Sequence, residues 1–508
     1  MEARGLVRKF LIVATVSLVT AIVSCNVLLP ERFAINAPIA SMLFGSNNAA
    51  PSSDIIDERF QVPEGFGLSL FATGIDNLRW LHTTSAGDFV ATRSRAGEVI
   101  LVKRDANGDG QSDGTTVLLS DLKQPQGIEI ADGWLYIAET DALGRVRFDE
   151  TTGEISGSFD RIATGIPGGG NHWSRTIAFG PDGLLYMTVG SSCNVCEEDD
   201  PRRAGMLRFN ADGSDEELIA TGLRNAVGFD WQPGTDDLYA TDNGRDLLGD
   251  NFPPCELNKV EVGGFYGWPV ANGDNIVDPD FGEGQEDRIA SAKRPAHPFG
   301  AHNAPLGIAF VKNARVPDTL RGSALVALHG SWNRTRKDGY KVVSLTWQPD
   351  GSITETDFFT GFLVNDEVVG RPVQIVEGID GAFYISDDYS GSIWRVAYGE
   401  SGSGNIQLGA TTTGDPLTGI SASDRSRLVA EGAALYERHR CATCHDAAQA
   451  APGVAVKTLA SLDQRYDITK LEALFDTPPA PMPTFSLSGE DKRALSVYLL
   501  DMTATPSH

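Results

Sequence analysis

From Ile55 to Tyr398 the chain alternates short apolar runs, rich in β-branched and aromatic residues, with clusters of Gly, Asp and Pro. No stretch of that region holds the 3.6-residue period of a long amphipathic helix. One motif recurs. Asp132-Gly133-Trp134-Leu135-Tyr136-Ile137-Ala138 is echoed by Asp182-Gly183-Leu184-Leu185-Tyr186-Met187-Thr188, by Asp236-Asp237-Leu238-Tyr239-Ala240-Thr241 and by Asp380-Gly381-Ala382-Phe383-Tyr384-Ile385-Ser386. Weaker copies are Gly87-Asp88-Phe89-Val90-Ala91-Thr92 and Gly322-Ser323-Ala324-Leu325-Val326-Ala327. Each copy reads as a tight turn feeding a buried strand. Six copies at irregular spacing predict an all-β six-bladed propeller with long insertions between blades. A β-sandwich is the competing architecture, but roughly 340 residues is large for one sandwich.

From Asp424 onward the period becomes helical. Gly432 and Tyr436 sit on the first helix of this part. The last helix begins at Ser488-Gly489-Glu490-Asp491, a Ser cap followed by acids in the first turn, and Leu495, Tyr498 and Leu499 form its apolar face. The segments 26–54 and 399–423 are rich in small and polar residues and read as linkers. The plan is therefore a targeting segment (1–25), a linker (26–54), a propeller (55–398), a second linker (399–423) and a small all-α domain (424–508).

The targeting segment has a basic start at Arg4, Arg8 and Lys9, followed by an almost wholly apolar run from Phe10 to Ser24. Ile22-Val23-Ser24-Cys25 is similar to a bacterial lipobox, in which the cysteine is lipidated. An uncleaved anchor from Phe10 to Pro30 is the alternative, since a span needs ~20 residues. Either tethers the protein to the membrane on its periplasmic side. The net charge of −26 excludes nucleic acid as a partner, because phosphate binding needs a basic surface.

Cys441-Ala442-Thr443-Cys444-His445 is the attachment motif of a covalent c-type haem. Cys441 and Cys444 would bond the haem vinyl groups and His445 would ligate the iron. A zinc half-site would need a second Cys or His pair, yet only the terminal His508 follows. The sixth ligand expected is Met482, held in Pro479-Ala480-Pro481-Met482-Pro483; Met502 lies near the end of the last helix and suits packing. A five-coordinate haem is the alternative. This part resembles a small class I cytochrome c domain. The resemblance implies that the terminal helix crosses the first, with Gly432 permitting close approach.

Several motifs in the propeller carry a second resemblance. In order they are Gln124-Pro125-Gln126-Gly127, Asn171-His172-Trp173-Ser174-Arg175, Gly222-Leu223-Arg224-Asn225, Glu256-Leu257-Asn258 leading to Gly263-Gly264-Phe265-Tyr266-Gly267-Trp268-Pro269, and Gly370-Arg371-Pro372-Val373. With these the region resembles the glucose/sorbosone dehydrogenases that use pyrroloquinoline quinone (PQQ). The resemblance implies that His172 is the general base, taking the substrate hydroxyl proton as hydride passes to the quinone. It implies that Arg224 and Asn225 contact the cofactor and that Arg371 and Gln126 bind it too. PQQ is a tricarboxylate, which suits guanidinium forks. It also implies a cofactor-bridging calcium; the expected ligands are the carbonyls of Gly244 and Arg245. Glucose-oxidising members place a lysine in the fifth blade, where this chain has Asn333 or Arg334 to substitute.

His302, Trp332 and Trp173 are candidates for lining the pocket or for packing. Asp105-Ala106-Asn107-Gly108-Asp109-Gly110-Gln111-Ser112-Asp113 follows the start of an EF-hand loop but has Thr116 where a bidentate Glu is needed; an Asp/Gly hairpin is the alternative. Cys193-Asn194-Val195-Cys196 lacks a following His and suggests a loop disulfide, with Cys255 as a further partner. The expected function is a membrane-tethered dehydrogenase of a sugar, polyol or aldehyde, with PQQ feeding the haem and then a cytochrome or quinone-linked respiratory acceptor. The competing readings are a calcium-dependent propeller lactonase or hydrolase and a non-catalytic carbohydrate-binding propeller.

Overall fold

The computed structural model describes residues 34–36, 49–312, 315–399, 422–445, 468–476 and 487–503, with Leu417, Ile420, Leu459, Leu462, Met482 and Phe485 as single positions. The chain divides into two compact units near residue 406. The targeting segment with Cys25, and most of the 399–423 linker, lie outside the described residues. No helix among the described residues is long and apolar enough to cross a membrane.

Six sheets form the blades of the first unit, antiparallel except where Gly264–Phe265 pairs parallel with Glu217–Thr221. Their inner strands are Leu78–Thr83, Ile128–Ala131, Ile177–Phe179, Ala226–Trp231, Pro305–Phe310 and Pro372–Glu377. Their second strands are Phe89–Arg93, Trp134–Ala138, Leu185–Val189, Leu238–Asp242, Ala324–Leu328 and Phe383–Asp387. These second strands are the six copies read in the sequence. They are apolar on both faces because each is sandwiched by neighbouring blades, and four of them are buried at every position. The outer strand of the sixth blade comes from the N-terminal side: Phe66–Ala72 pairs antiparallel with Ser392–Tyr398, Phe66 opposite Tyr398. Below this closure Phe60 stacks against Trp394 at 4.6 Å and meets Phe362 edge-on at 5.0 Å, all three wholly buried.

In four of the six inner strands the register slips just after the first paired residue, as between Ala226 and Phe229. Such a bulge orphans backbone donors. A hydroxyl of the second strand takes one up in blades 1, 4 and 6: Thr92 accepts from Trp80 N, Thr241 from Gly228 N and Ser386 from Gln374 N; in blade 3, whose register does not slip, Thr188 accepts from Thr176 N in the same way. Three of these hydroxyls also donate to the next blade around the ring, Thr92 to Gln126 O, Thr241 to Leu306 O and Ser386 to Arg79 O. One oxygen thus satisfies a bulge and ties two blades. Thr241→Val, equal in shape, leaves the Gly228 N–H and Leu306 carbonyl buried without it. It should lower unfolding stability in urea by about 2 kcal/mol, and no loss would mean the bulge finds another partner.

Part of the segment read as a linker is docked instead. Asn333 donates to Ala34 O at 2.6 Å, Asn36 N donates to Trp332 O at 2.9 Å, and Asn36 Nδ2 donates to Asp366 at 2.8 Å. Helix Ser53–Arg59 also begins inside that segment. The loop 105–113 is the hairpin between strands Glu98–Val102 and Thr115–Leu119. The Asp105 carboxylate accepts from the backbone of Gly108, Asp109 and Gly110, which holds it below the usual carboxylate range.

The second unit is helical: Ala422–Arg438, Ala442–His445, Ile468–Asp476 and Gly489–Thr503. Leu428, Leu435, Leu471, Phe475, Leu495 and Leu499 share one apolar cluster, and Met482 packs against it. The first and last helices touch at Gly432, where a Cβ would strike the Ala494 carbonyl and come within 2.5 Å of Tyr498 Cβ. Ser488 caps the last helix, its Oγ accepting from Asp491 N at 3.1 Å and donating to the Asp491 carboxylate at 2.7 Å. His445 N donates to Cys441 O at 3.1 Å, so these two residues are one helical turn apart.

Candidate functional site

The motif residues lie where the chain enters the inner strands: Gln126, Arg175, Arg224, Asn225 and Arg371. Neighbouring entries are bonded to each other. Gly127 N donates to Arg175 O, Gln126 Nε2 to Thr176 Oγ1 at 3.1 Å, and Asn243 Nδ2, just past the fourth blade's second strand, to Asn225 O in its own blade and to Pro305 O at the next entry, both at 3.1 Å.

His172 stands on the loop before the third inner strand. Arg175 donates to the carbonyls of Pro167, His172 and Ser174, and Arg203 donates to those of Gly168, Gly169 and Gly190, so two buried guanidinium groups fix the loop. Gly170 has φ +79 and its added Cβ would strike Ser192 O, which leaves glycine as the residue that fits. The ring then has a defined state. Nδ1 lies 2.9 Å from both the carbonyl and the hydroxyl oxygen of Ser191. A carbonyl only accepts, so Nδ1 carries the hydrogen and Nε2 keeps its lone pair. Burial, reinforced by the Arg224 charge, pushes the imidazole down to about 3. Nε2 has no partner among the described residues. The result is a neutral, oriented base.

Arg224 is 5% exposed and all five of its N–H donors are engaged by protein oxygens. Nε donates to Asn194 O and Nη2 to Asn194 Oδ1, both at 2.9 Å; Nη2 also reaches Asp246 at 3.2 Å; Nη1 donates to Asn243 O and Gly244 O, both at 3.0 Å. This corrects the expectation of a guanidinium fork open to a cofactor carboxylate. Arg224 offers a fixed positive charge and a planar face beside His172. Arg371 retains the fork. Its Nη2 contacts His329 Nδ1 at 2.9 Å and its Nε reaches His329 O, while Nη1 donates to no described residue. His329 Nε2 meets Asp388 at 2.9 Å, and Asp388 pairs with Arg79 at 2.6 Å. Burial, with help from Arg371, pushes His329 down to about 4. Burial opposes ionisation of Asp388, but His329 and Arg79 hold it well below the carboxylate range. Arg79 lies 5.7 Å above the Trp173 ring.

Two acceptor oxygens point into this region with no partner among the described residues, Gln126 Oε1 and Asn225 Oδ1. Gly190 is what lets Asn225 and His172 approach: a Cβ there would lie 2.6 Å from His172 Cβ and 2.8 Å from Asn225 Oδ1. A ligand combining carboxylates with an N–H donor fits this set of Arg371, Arg224 and two orphan oxygens, and PQQ has both. Of the calcium ligands expected, the Gly244 carbonyl already faces the Arg224 cation. A cavity of about 20 Å³ beside them is also lined by Asp242 and Glu256. Burial raises these two carboxyls to about 7 and about 8. They are the stronger hard-oxygen donors for a cation at this place.

Asn333 and Arg334, the expected substitutes for the family's lysine, are bonded chiefly to backbone. Asn333 Oδ1 accepts from Leu247 N and its amide donates to Ala34 O, while Arg334 donates to Asp250 O and Ala301 O. His302 is buried, with Nε2 at 2.9 Å from Gly249 O and Nδ1 at 3.6 Å from Asp246. Cys193 and Cys196 form a disulfide, which leaves Cys255 a buried thiol that burial pushes up to about 11. Three-residue spacing sufficed for the bridge, whereas Cys255 lies inside strand Pro254–Val260. Sequence reasoning missed the roles of Arg79, Asn194, Asp246, His329 and Asp388.

A family model described as glucose/sorbosone dehydrogenase matches residues 136–395, just over half of the chain. An uncharacterized protein of Borreliella burgdorferi is 28% identical over 376 residues, 71% of this chain and 96% of its own length. The PQQ-dependent pyranose dehydrogenase of Coprinopsis cinerea is 25% identical over 419 residues, covering 66% of this chain and 54% of that protein. Quinoprotein glucose dehydrogenase B of Acinetobacter calcoaceticus is 24% identical over 246 residues, 39% of this chain and 49% of that protein. The chain thus spans about half the length of these two quinoproteins. Among solved structures, the holo PQQ domain of the Coprinopsis cinerea pyranose dehydrogenase superposes with a TM-score of 0.57 at 21% identity, covering 67% of this chain and 97% of that one. The soluble aldose sugar dehydrogenase of Escherichia coli gives 0.52 at 17%, covering 66% and 99%. At these identities the superpositions speak for the fold.

Proposed function

The chain belongs to the glucose/sorbosone dehydrogenase family, and from that premise we propose that it is a quinoprotein that oxidises a sugar, polyol or aldehyde. The helical unit would carry the haem c and hand electrons to a respiratory acceptor. The observation that carries the reading is the neutral His172 imidazole, with Nδ1–H held by Ser191 and Nε2 open, beside the fixed charge of Arg224.

PQQ, when bound, supplies a two-electron acceptor; the chain supplies the rest. Nε2 of His172 takes the proton of the substrate hydroxyl. The Arg224 charge favours the negative charge that develops next to it. Arg371 Nη1, with Gln126 and Asn225, binds and orients the cofactor. Asp242 and Glu256 are the ligands we assign to calcium, in place of the Gly244 and Arg245 carbonyls. In the helical unit, Cys441 and Cys444 would anchor the haem, with His445 and Met482 as axial ligands. The basic-then-apolar start supports a periplasmic protein tethered through lipidated Cys25 or an uncleaved anchor, and the Cys193–Cys196 disulfide suits that compartment.

The test uses the full chain, reconstituted with PQQ and calcium and mixed with aldoses, polyols and aldehydes. A substrate-dependent rise of the reduced haem band is expected, and Met482→Ala should shift the haem potential or open a coordination position. If PQQ does not bind and no compound reduces the haem, the reading is wrong, and hydrolysis of lactones becomes the next assay.

A further inference from the structure

One residue supplies two of the five oxygens that hold Arg224. The Nε and Nη2 edge of Arg224 faces the backbone and side-chain oxygens of Asn194, both at 2.9 Å, the two-point arrangement a carboxylate would offer. Asn194 is itself held, since its Oδ1 accepts from Asp246 N at 2.8 Å and its amide donates to Asp246 O at 3.1 Å. Trp268 Nε1 also donates to Asn194 O, at 3.3 Å. On either side of this residue stand Cys193 and Cys196, and their disulfide closes a four-residue ring. The same loop reaches the base. Ser191 Oγ donates to Cys193 O at 2.7 Å and accepts from His172 Nδ1. The two groups assigned to the chemistry therefore hang from one disulfide-closed loop. Cys193, Asn194 and Cys196 are half-buried, so a small thiol can reach the bridge.

We infer that Asn194 is the positioning residue of Arg224 and that the Cys193–Cys196 disulfide locks it in place, which makes the site sensitive to thiol reduction. The inference rests on Arg224 and His172 forming the site assigned above. The chemistry is ordinary exchange. A dithiol attacks the bridge, the S–S bond breaks, Cys193 and Cys196 take two electrons and two protons, and the dithiol closes to its own disulfide. The loop, no longer closed, loses the restraint that keeps both oxygens of Asn194 on the guanidinium edge.

One readout needs no cofactor. The His172 imidazole is followed by NMR from about pH 7.5 to 5, its signals identified by their loss in His172→Gln. The charged groups facing it are Arg224, Arg175 and Asp246. In the parent chain the ring stays neutral over this range. After dithiothreitol, or in Asn194→Ala, Arg224 drifts and the ring begins to protonate; reoxidation restores the parent behaviour. The double variant Cys193→Ser with Cys196→Ser should behave as the reduced chain with or without dithiothreitol. The second readout is PQQ binding, which should weaken roughly tenfold on reduction or in Asn194→Ala, with no further loss when the two are combined. If thiol counting proves reduction and neither readout moves, the proposal is overturned. A parent that binds PQQ equally well as Asn194→Ala also overturns it. A parent that fails to bind PQQ yet shows the thiol-dependent change at His172 sinks the quinoprotein reading and supports the positioning role.

Discussion

His172→Gln should cut turnover of the PQQ-loaded chain by about 10²–10⁴-fold, the usual contribution of a placed general base, while PQQ binding stays near that of the parent. The imidazole accepts no structural bond through Nε2, so its loss removes chemistry more than support. The pH profile is a sharper check. Burial and then Arg224 disfavour the charged ring and push it down to about 3. The base therefore stays neutral as pH falls, and kcat/KM should lack an acid limb near the ordinary imidazole value of about 6.5. A limb at that value would show that the base is solvated and that the ring is not held as described. The same shift has a stability sign. The folded state binds its proton more weakly than the unfolded state, so stability is complete above about pH 6.5 and declines as pH falls through that value toward the lower folded one. His329, pushed down to about 4, acts in the same direction.

Arg224→Lys should be the other severe change. Charge is kept, but three rotating donors replace five arranged in a plane. At least two of the oxygens from Asn194, Asn243, Gly244 and Asp246 then lack their partner in a buried place. We expect kcat/KM to fall by at least about 100-fold, with a stability loss of about 2–4 kcal/mol in urea unfolding. Arg371→Lys has fewer bonds to lose and should act mainly on PQQ affinity. Near-parental activity in Arg224→Lys would mean that charge alone suffices and the guanidinium plane is dispensable.

The blades were legible because each second strand is squeezed between neighbours, and a strand apolar on both faces writes itself as a continuous run such as Leu185–Val189 or Ala324–Leu328. The closing strand was not, because Phe66–Ala72 is an outer strand whose apolar run is broken by the exposed Ser69. Candidate site residues carried by a motif could be named from the sequence: His172, Arg224, Asn225, Arg371. Their partners were not, since Asp388 and His329 come from different blades and only the fold brings them to Arg371 and Arg79. Arg224 shows the limit of residue type as evidence. An arginine in the right place was legible, but whether its donors were open depended on Asn194, thirty positions away. The docking of Ala34 on Asn333 was equally hidden, because small polar residues give no periodic signal whether they are bound or free.

The strand pairing that completes the sixth blade joins residues more than three hundred positions apart. During synthesis or export, the ring cannot shut until the stretch through Tyr398 has emerged, although Phe66–Ala72 has long been waiting with its edge unpaired. Five blades can form their own sheets while the chain is still lengthening. The channel that gathers His172, Arg224 and Arg371 gains its full circumference only when the last blade clasps the first segment. The linker and the helical unit emerge after that. Assembly order is thus written into the topology: a chain cut short before Ser392 would have nearly all of its sheets and no closed ring.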